Sequence, residues 1–142
     1  AAAGLRRLGW ADRVTEYLSP DVCLPAIGQG ALALEGRADD AFVRELAGRL
    51  EHRPTRIAVT AERALLERLE GGCQVPIAAY ATIEDAMLTM SALVAGVDGR
   101  RLVRDSIQGS ASEAPRLGVR LAERLLERGG DEILREIYGT AP

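Results

Sequence analysis

The sequence predicts an α/β chain overall, with an α+β C-terminal part in which a three-stranded antiparallel sheet is packed with helices. Three observations predict it. Apolar residues recur at three- and four-residue intervals on either side of a central stretch, they alternate with polar residues inside that stretch, and Gly, Pro, Ser and Asp gather at the joins. With 142 residues, 47% of them hydrophobic and 27% charged, the chain can form one good core and does not resemble a disordered segment.

Taken in order, Ala2 to Leu8 favour a helix that Gly9 interrupts, and Trp10 to Leu18 can form a second short helical stretch before Ser19-Pro20 stops it. Val22 to Gly36 sets Pro25, Gly28, Gly30 and Gly36 among small apolar residues, which predicts a turn feeding a buried strand over Ala31 to Glu35. So apolar a strand needs neighbours, and they are hard to find in this chain. Asp39 is placed to cap a helix to about Glu51, with Phe42, Val43, Leu46 and Leu50 on one face and His52 at its end. Thr55 is placed to cap another through Leu69, whose stripe is Ala58, Ala61, Leu65 and Leu69, with Gly71-Gly72 terminating it.

Val75 to Ile83, Ala86 to Ala95 and Arg101 to Gln108 alternate as strands, joined through Glu84-Asp85 and a turn containing Asp98-Gly99, which predicts an antiparallel meander. Ser112 then caps a helix to Arg128, closed by Gly129-Gly130, and Asp131 caps a last one ending near Tyr138-Gly139. The opening AAAGLRRLGW has no methionine and reads as the interior of an uncapped helix, so the expectation is a piece of a longer chain.

Charge and cysteine count exclude several functions. The 18 basic residues are all arginine and stand against 21 acidic ones, a net charge of −3, so no broad cationic field exists for nucleic acid or anionic lipid. No apolar run approaches the roughly 20 residues of a membrane-spanning helix and no signal peptide opens the chain, so a soluble segment is expected, and a reducing, cytoplasmic setting suits its two cysteines. Two cysteines and one histidine are too few, and too widely spaced, for a structural zinc site.

Cys73 stands in EGGCQVP, where two glycines free the backbone and Pro76 stiffens the exit, so the thiol can sit on an exposed loop; the competing reading is a small buried hydrophobe. A position just past a helix C-terminus disfavours a thiolate, and no second cysteine lies at C-x-x-C spacing, so a permanent attachment suits Cys73 better than a turning-over nucleophile. Cys23, in an apolar stretch, reads as packing.

Arg6 and Arg7 lie between Gly4 and Gly9, where an arginine fork could hold carboxylates, although spacing alone favours two solvated side chains. Gln29 offers an amide donor and acceptor between Gly28 and Gly30, which is neither a Walker loop nor a dinucleotide fingerprint and is equally a hinge. Arg116, Arg120, Arg124 and Arg128 draw a stripe that reads as a solvated helix face, paired at i,i+3 with Glu123 and Glu127. The aromatic residues Tyr17, Phe42, Tyr80 and Tyr138 do not interleave with basic ones, so no platform for bases is expected.

The segments AAAGLRRLGW, LPAIGQGALALEGR, TAERALLERLEGGCQVPIAAYA and LGVRLAERLLERGGDEIL, in that order, resemble the porphobilinogen deaminase (hydroxymethylbilane synthase) family over essentially the whole chain, EGGCQVP being the most specific. The resemblance implies that Cys73 anchors a dipyrromethane cofactor as a thioether, priming condensation of four porphobilinogen molecules with loss of ammonia. It implies that Arg7 clamps carboxylates of cofactor and substrate, that Gln29 and Gly30 contact the pyrrole chain, and that Ala1 makes a backbone contact. It implies a fragment of a three-domain monomer: residues 1–24 end the second domain, 25–52 form a hinge and returning strand and helix of the first, and 53–142 form the whole third domain. The strand at Ala31 to Glu35 would then find its sheet partners in sequence outside this chain. The family's catalytic aspartate and most of its carboxylate-binding arginines would lie there too, leaving no catalytic residue here; Glu70 reads as solvated. No nucleic acid, membrane or metal partner is implied. The alternative from another class is a non-catalytic α+β interaction or regulatory domain with Cys73 an ordinary thiol.

Overall fold

In a computed structural model of the chain, residues 2–70 and 75–139 are described. The order is helix α1 (Ala2–Arg7), a 3-10 turn (Ala11–Arg13), helices α2 (Ala41–Arg49) and α3 (Arg53–Arg68), strands β1 (Ile77–Glu84), β2 (Met87–Ala95) and β3 (Leu102–Ser110), then helices α4 (Ala114–Leu125) and α5 (Asp131–Gly139). The three strands form an antiparallel meander in the order β1-β2-β3, with Ala81 opposite Met90 and Met90 opposite Ile107. Those side chains and Ala79, Leu88, Ala92 and Val94 point inward, while Tyr80, Thr82, Thr89, Ser106 and Gln108 point outward, the period-2 pattern of a sheet covered on one face.

The covering layer is α3 over β1 and α4 over β3. The stripe Ala58, Ala61, Leu65 and Leu69 is buried as its spacing predicts, against Leu117, Leu121 and Leu125 of α4. Each large apolar side chain so enclosed is worth about 1.5–3 kcal/mol over exposure. Small residues set the distance between the two helices: a Cβ at Gly118 would collide with the Ala61 carbonyl oxygen of α3.

The first hairpin closes between Glu84 and Met87, and both turn residues, Asp85 (φ 46°) and Ala86 (φ 65°), are left-handed, the twist that suits a two-residue connection. The helix ends differ from expectation. His52, not Thr55, occupies the cap of α3, its Nδ1 lying 2.8 Å from Thr55 Oγ1, because Pro54 fits the first turn, where its missing N–H costs nothing. Asp40, not Asp39, caps α2 by accepting from the Val43 N–H at 3.0 Å. Ser110 caps a 3-10 turn, Ala111–Glu113, that leads into α4, so Ser112 lies within that turn. The helix that begins with α4 ends as expected at Gly129, whose left-handed φ of 100° kinks the chain, and Asp131, expected as the cap of α5, is instead its first residue. The expected Gly71-Gly72 terminator lies outside the described residues.

Before Ala58 no described residue is buried. The expected strand over Ala31 to Glu35 is absent: the segment is irregular, Leu32 is 97% exposed, and among the described residues no strand lies beside it to complete a ladder. The helical stretch expected over Trp10 to Leu18 contracts to its 3-10 turn, and α2 keeps its apolar stripe while Phe42, at 69% exposure, and Leu50 face outward.

A glycine-rich loop held on a buried carboxylate

Residues 25–31 wind into two overlapping turns, Gln29 N–H donating to the Ala26 carbonyl at 3.0 Å and Ala31 N–H to that of Gly28 at 3.2 Å. Gly28 (φ 69°) and Gly30 (φ 87°) supply the left-handed conformations this path requires. The Gln29 Oε1 accepts from the Ala26 N–H at 3.1 Å, which fixes the amide while its nitrogen makes no bond among the described residues. Gln29 and Gly30 both line a cavity of about 280 Å³, walled by Thr55 and Glu62 of α3 and Tyr80 of β1. A larger cavity of about 590 Å³ shares Gly30 and is lined by Leu32, His52, Arg56 and Arg63.

Glu62 organises this region. It is only 5% exposed; its Oε2 accepts from the Gly28 N–H at 2.7 Å and its Oε1 from the Ala81 N–H at 2.9 Å. Burial pushes its pKa up, against the pull of these two N–H groups, which favour the carboxylate. The sequence analysis passed Glu62 over, though a signal was there: it sits four residues after Ala58 and three before Leu65, a charge within the buried stripe.

Of the expected site residues, the structure brings Gln29 and Gly30 together at one cavity. Arg7 is exposed at the end of α1, does not line that cavity, and makes no ion pair among the described residues; its neighbour Arg6 stacks over the Tyr17 ring, 5.1 Å from the centroid. Cys73 and Ala1 lie outside the described residues. Cys23, expected to be packed, is exposed as a free thiol, because the segment around it has no layer above it. The arginine stripe is corrected in part: Arg124 of α4 and Arg128, just beyond its end, converge on Asp105 of β3 at 2.8 and 3.3 Å, and Glu123 pairs with Arg68 of α3, so these side chains also tie that part of the chain to its neighbours while remaining partly exposed. Glu70 is exposed as expected, with a left-handed φ of 53°, and its carbonyl accepts from the Tyr138 hydroxyl. No helix among the described residues is long and apolar enough to cross a membrane.

A helix-backed three-stranded antiparallel sheet, latched to a glycine-rich polar loop that leads into an apolar segment unburied among the described residues, defines the class: an α/β protein with a single closed core from Ala58 onward. Comparison with known proteins supplies the family. Residues 1–45 match the family model described as "Porphobilinogen deaminase, dipyromethane cofactor binding domain", and residues 56–127 match "Porphobilinogen deaminase, C-terminal domain". The porphobilinogen deaminase of Geobacter sulfurreducens is 56% identical over 138 residues, 97% of this chain and 43% of that protein. That of Trichlorobacter lovleyi is 55% identical over 138 residues, 97% of this chain and 44% of its own length. That of Carboxydothermus hydrogenoformans is 47% identical over 141 residues, 99% of this chain and 45% of its own length. The chain belongs to the porphobilinogen deaminase family, and it spans less than half the length of these relatives.

Proposed function

We propose that this chain is the C-terminal portion of a porphobilinogen deaminase, the transferase that condenses four porphobilinogen units into linear hydroxymethylbilane, releasing ammonia, in tetrapyrrole biosynthesis. The observation that carries the proposal is the succession of two family matches along one chain: the cofactor-binding model over residues 1–45 contains Arg7, Gln29 and Gly30, and the C-terminal model over residues 56–127 contains Cys73. In the proposed division, residues 1–24 end a second domain, 25–52 belong to a first domain completed by other sequence, and 53–142 are the third. The absence of buried described residues before Ala58, against a closed core beyond it, supports a break near residue 53.

A dipyrromethane presents pyrrole N–H donors and carboxylate arms, so its holder needs acceptors, cations and an anchoring thiol. The residues present fit those needs. Gln29 offers an ordered amide at a cavity edge, Arg7 an exposed fork without an ion pair among the described residues, and Cys73 the sulfur. When bound, the cofactor supplies the primer to which successive pyrrole units are joined. Cys73 would hold it as a thioether, Arg7 would neutralise carboxylates, and Gln29 with Gly30 would orient the pyrrole chain. Acid-base work is assigned to an aspartate outside this chain, and no acidic residue here replaces it.

The test is an intact mass of the full-length parent protein with peptide mapping across Cys73. A dipyrromethane-sized adduct on that cysteine is expected, either as purified or after incubation with porphobilinogen. A thiol that stays bare after that incubation, in a folded and inactive parent, would move the assignment to a non-catalytic domain.

A further inference from the structure

Among the described residues Glu62 is the buried charged side chain, and its carboxylate joins three parts of the chain: it belongs to α3, accepts from Gly28 in the loop, and accepts from Ala81 on β1, an edge strand of the sheet. The other backbone bonds of residues 26–31 are internal to the loop, and Ile27, half-buried against the core, is its apolar anchor. A carboxylate suits this place because both oxygens face N–H donors, whereas an amide would turn its own NH2 toward one of them. It is also a costly choice, since a buried carboxylate gives up its hydration where an apolar side chain of similar volume could pack without that cost.

We infer that Glu62 is a positioning residue: by tying the Gly28–Gly30 turn to β1, it sets where Gln29 and Gly30 stand relative to the domain whose sequence carries Cys73. The inference rests on the proposed contact of Gln29 and Gly30 with the cofactor and pyrrole chain. Ala81 lies eight residues after Cys73 in sequence, so one carboxylate ties the ligand-contact loop to the strand that follows the anchor, and a displaced loop would meet the pyrrole chain out of register.

In the full-length protein, Glu62→Met keeps the side chain's length, removes both acceptors and leaves an apolar group in the core. Amide exchange of residues 25–31 should quicken by about tenfold or more while protection in β2 and β3 persists. The KM for porphobilinogen should rise by about tenfold with a smaller change in kcat. Glu62→Gln, which retains one acceptor, should lie between Met and wild type in both readouts. Unchanged exchange over residues 25–31 overturns the latch, and faster exchange with an unchanged KM overturns its positioning role. Protection lost throughout β2 and β3 as well makes Glu62 a strut of the core, which also overturns it. The wild-type intact mass separates this inference from the one beneath it: no adduct after incubation with porphobilinogen removes the cofactor reading, while the exchange data still decide the latch.

Discussion

Adjacent arginines in α1 have different surroundings. Arg6 is engaged over the Tyr17 ring, whereas Arg7 is exposed and makes no ion pair among the described residues, which is compatible with its proposed role at a ligand carboxylate. Arg7→Leu in the full-length protein should weaken substrate or cofactor binding by about 1.5–3 kcal/mol, the worth of a charge-assisted hydrogen bond; steady-state kinetics unchanged from wild type would make Arg7 a solvated surface residue. In the full-length protein Cys73→Ala should abolish activity while the sheet and its covering helices still fold, which activity assays and circular dichroism check together; wild-type turnover would refute the anchor role. Glu62 carries a pH signature. Its pKa is raised by burial above the ordinary value of 4.5, so its contribution to stability is fully present below that value and is lost as pH rises through the folded one. Urea midpoints of this chain, wild type minus Glu62→Met, should therefore decline with rising pH across that window, and a flat difference would contradict the assignment.

The helices divide into those whose stripes found a partner and one whose stripe did not. α3 and α4 meet at Gly118, where an added methyl would press on the Ala61 carbonyl oxygen, so Gly118→Ala should separate the pair and destabilise the chain by about 1–3 kcal/mol. A chemical denaturation midpoint equal to wild type would show that α4 can shift without loss. α2 has the same kind of periodicity, and the sequence places its helix within two residues of the observed ends, yet Phe42 and Leu50 stay exposed among the described residues. Periodicity reports which face is apolar. It does not report whether the element that covers that face lies in the same chain. The strand expected over Ala31 to Glu35 failed for a related reason, since a strand exists only through the hydrogen bonds of its neighbours.

Across the whole molecule, a closed core from Ala58 onward adjoins a first third in which no described residue is buried. The 142-residue chain alone should therefore form no hydroxymethylbilane, and its open apolar segment around Leu32, Leu34, Phe42 and Leu50 should bind a hydrophobic dye and promote self-association. Product assay, dye fluorescence and light scattering test these expectations together; turnover by the isolated chain would place the catalytic machinery within it.

The sequence by itself determined the meander, the stripes of α3 and α4, the interruptions at Gly9 and Gly129, and the family, because alternation, three-to-four spacing and punctuating residues are local properties of the chain. Tertiary structure alone decided that Arg124 of α4 and Arg128 beyond its end turn to Asp105, that Cys23 is exposed, that α2 and the Ala31–Glu35 segment are unburied among the described residues, and that Glu62 bridges Gly28 and Ala81. The bridge joins residues 34 and 19 positions apart in sequence. A carboxylate's partners at such separations are set by how α3, the loop and β1 pack together, and no local pattern encodes that meeting.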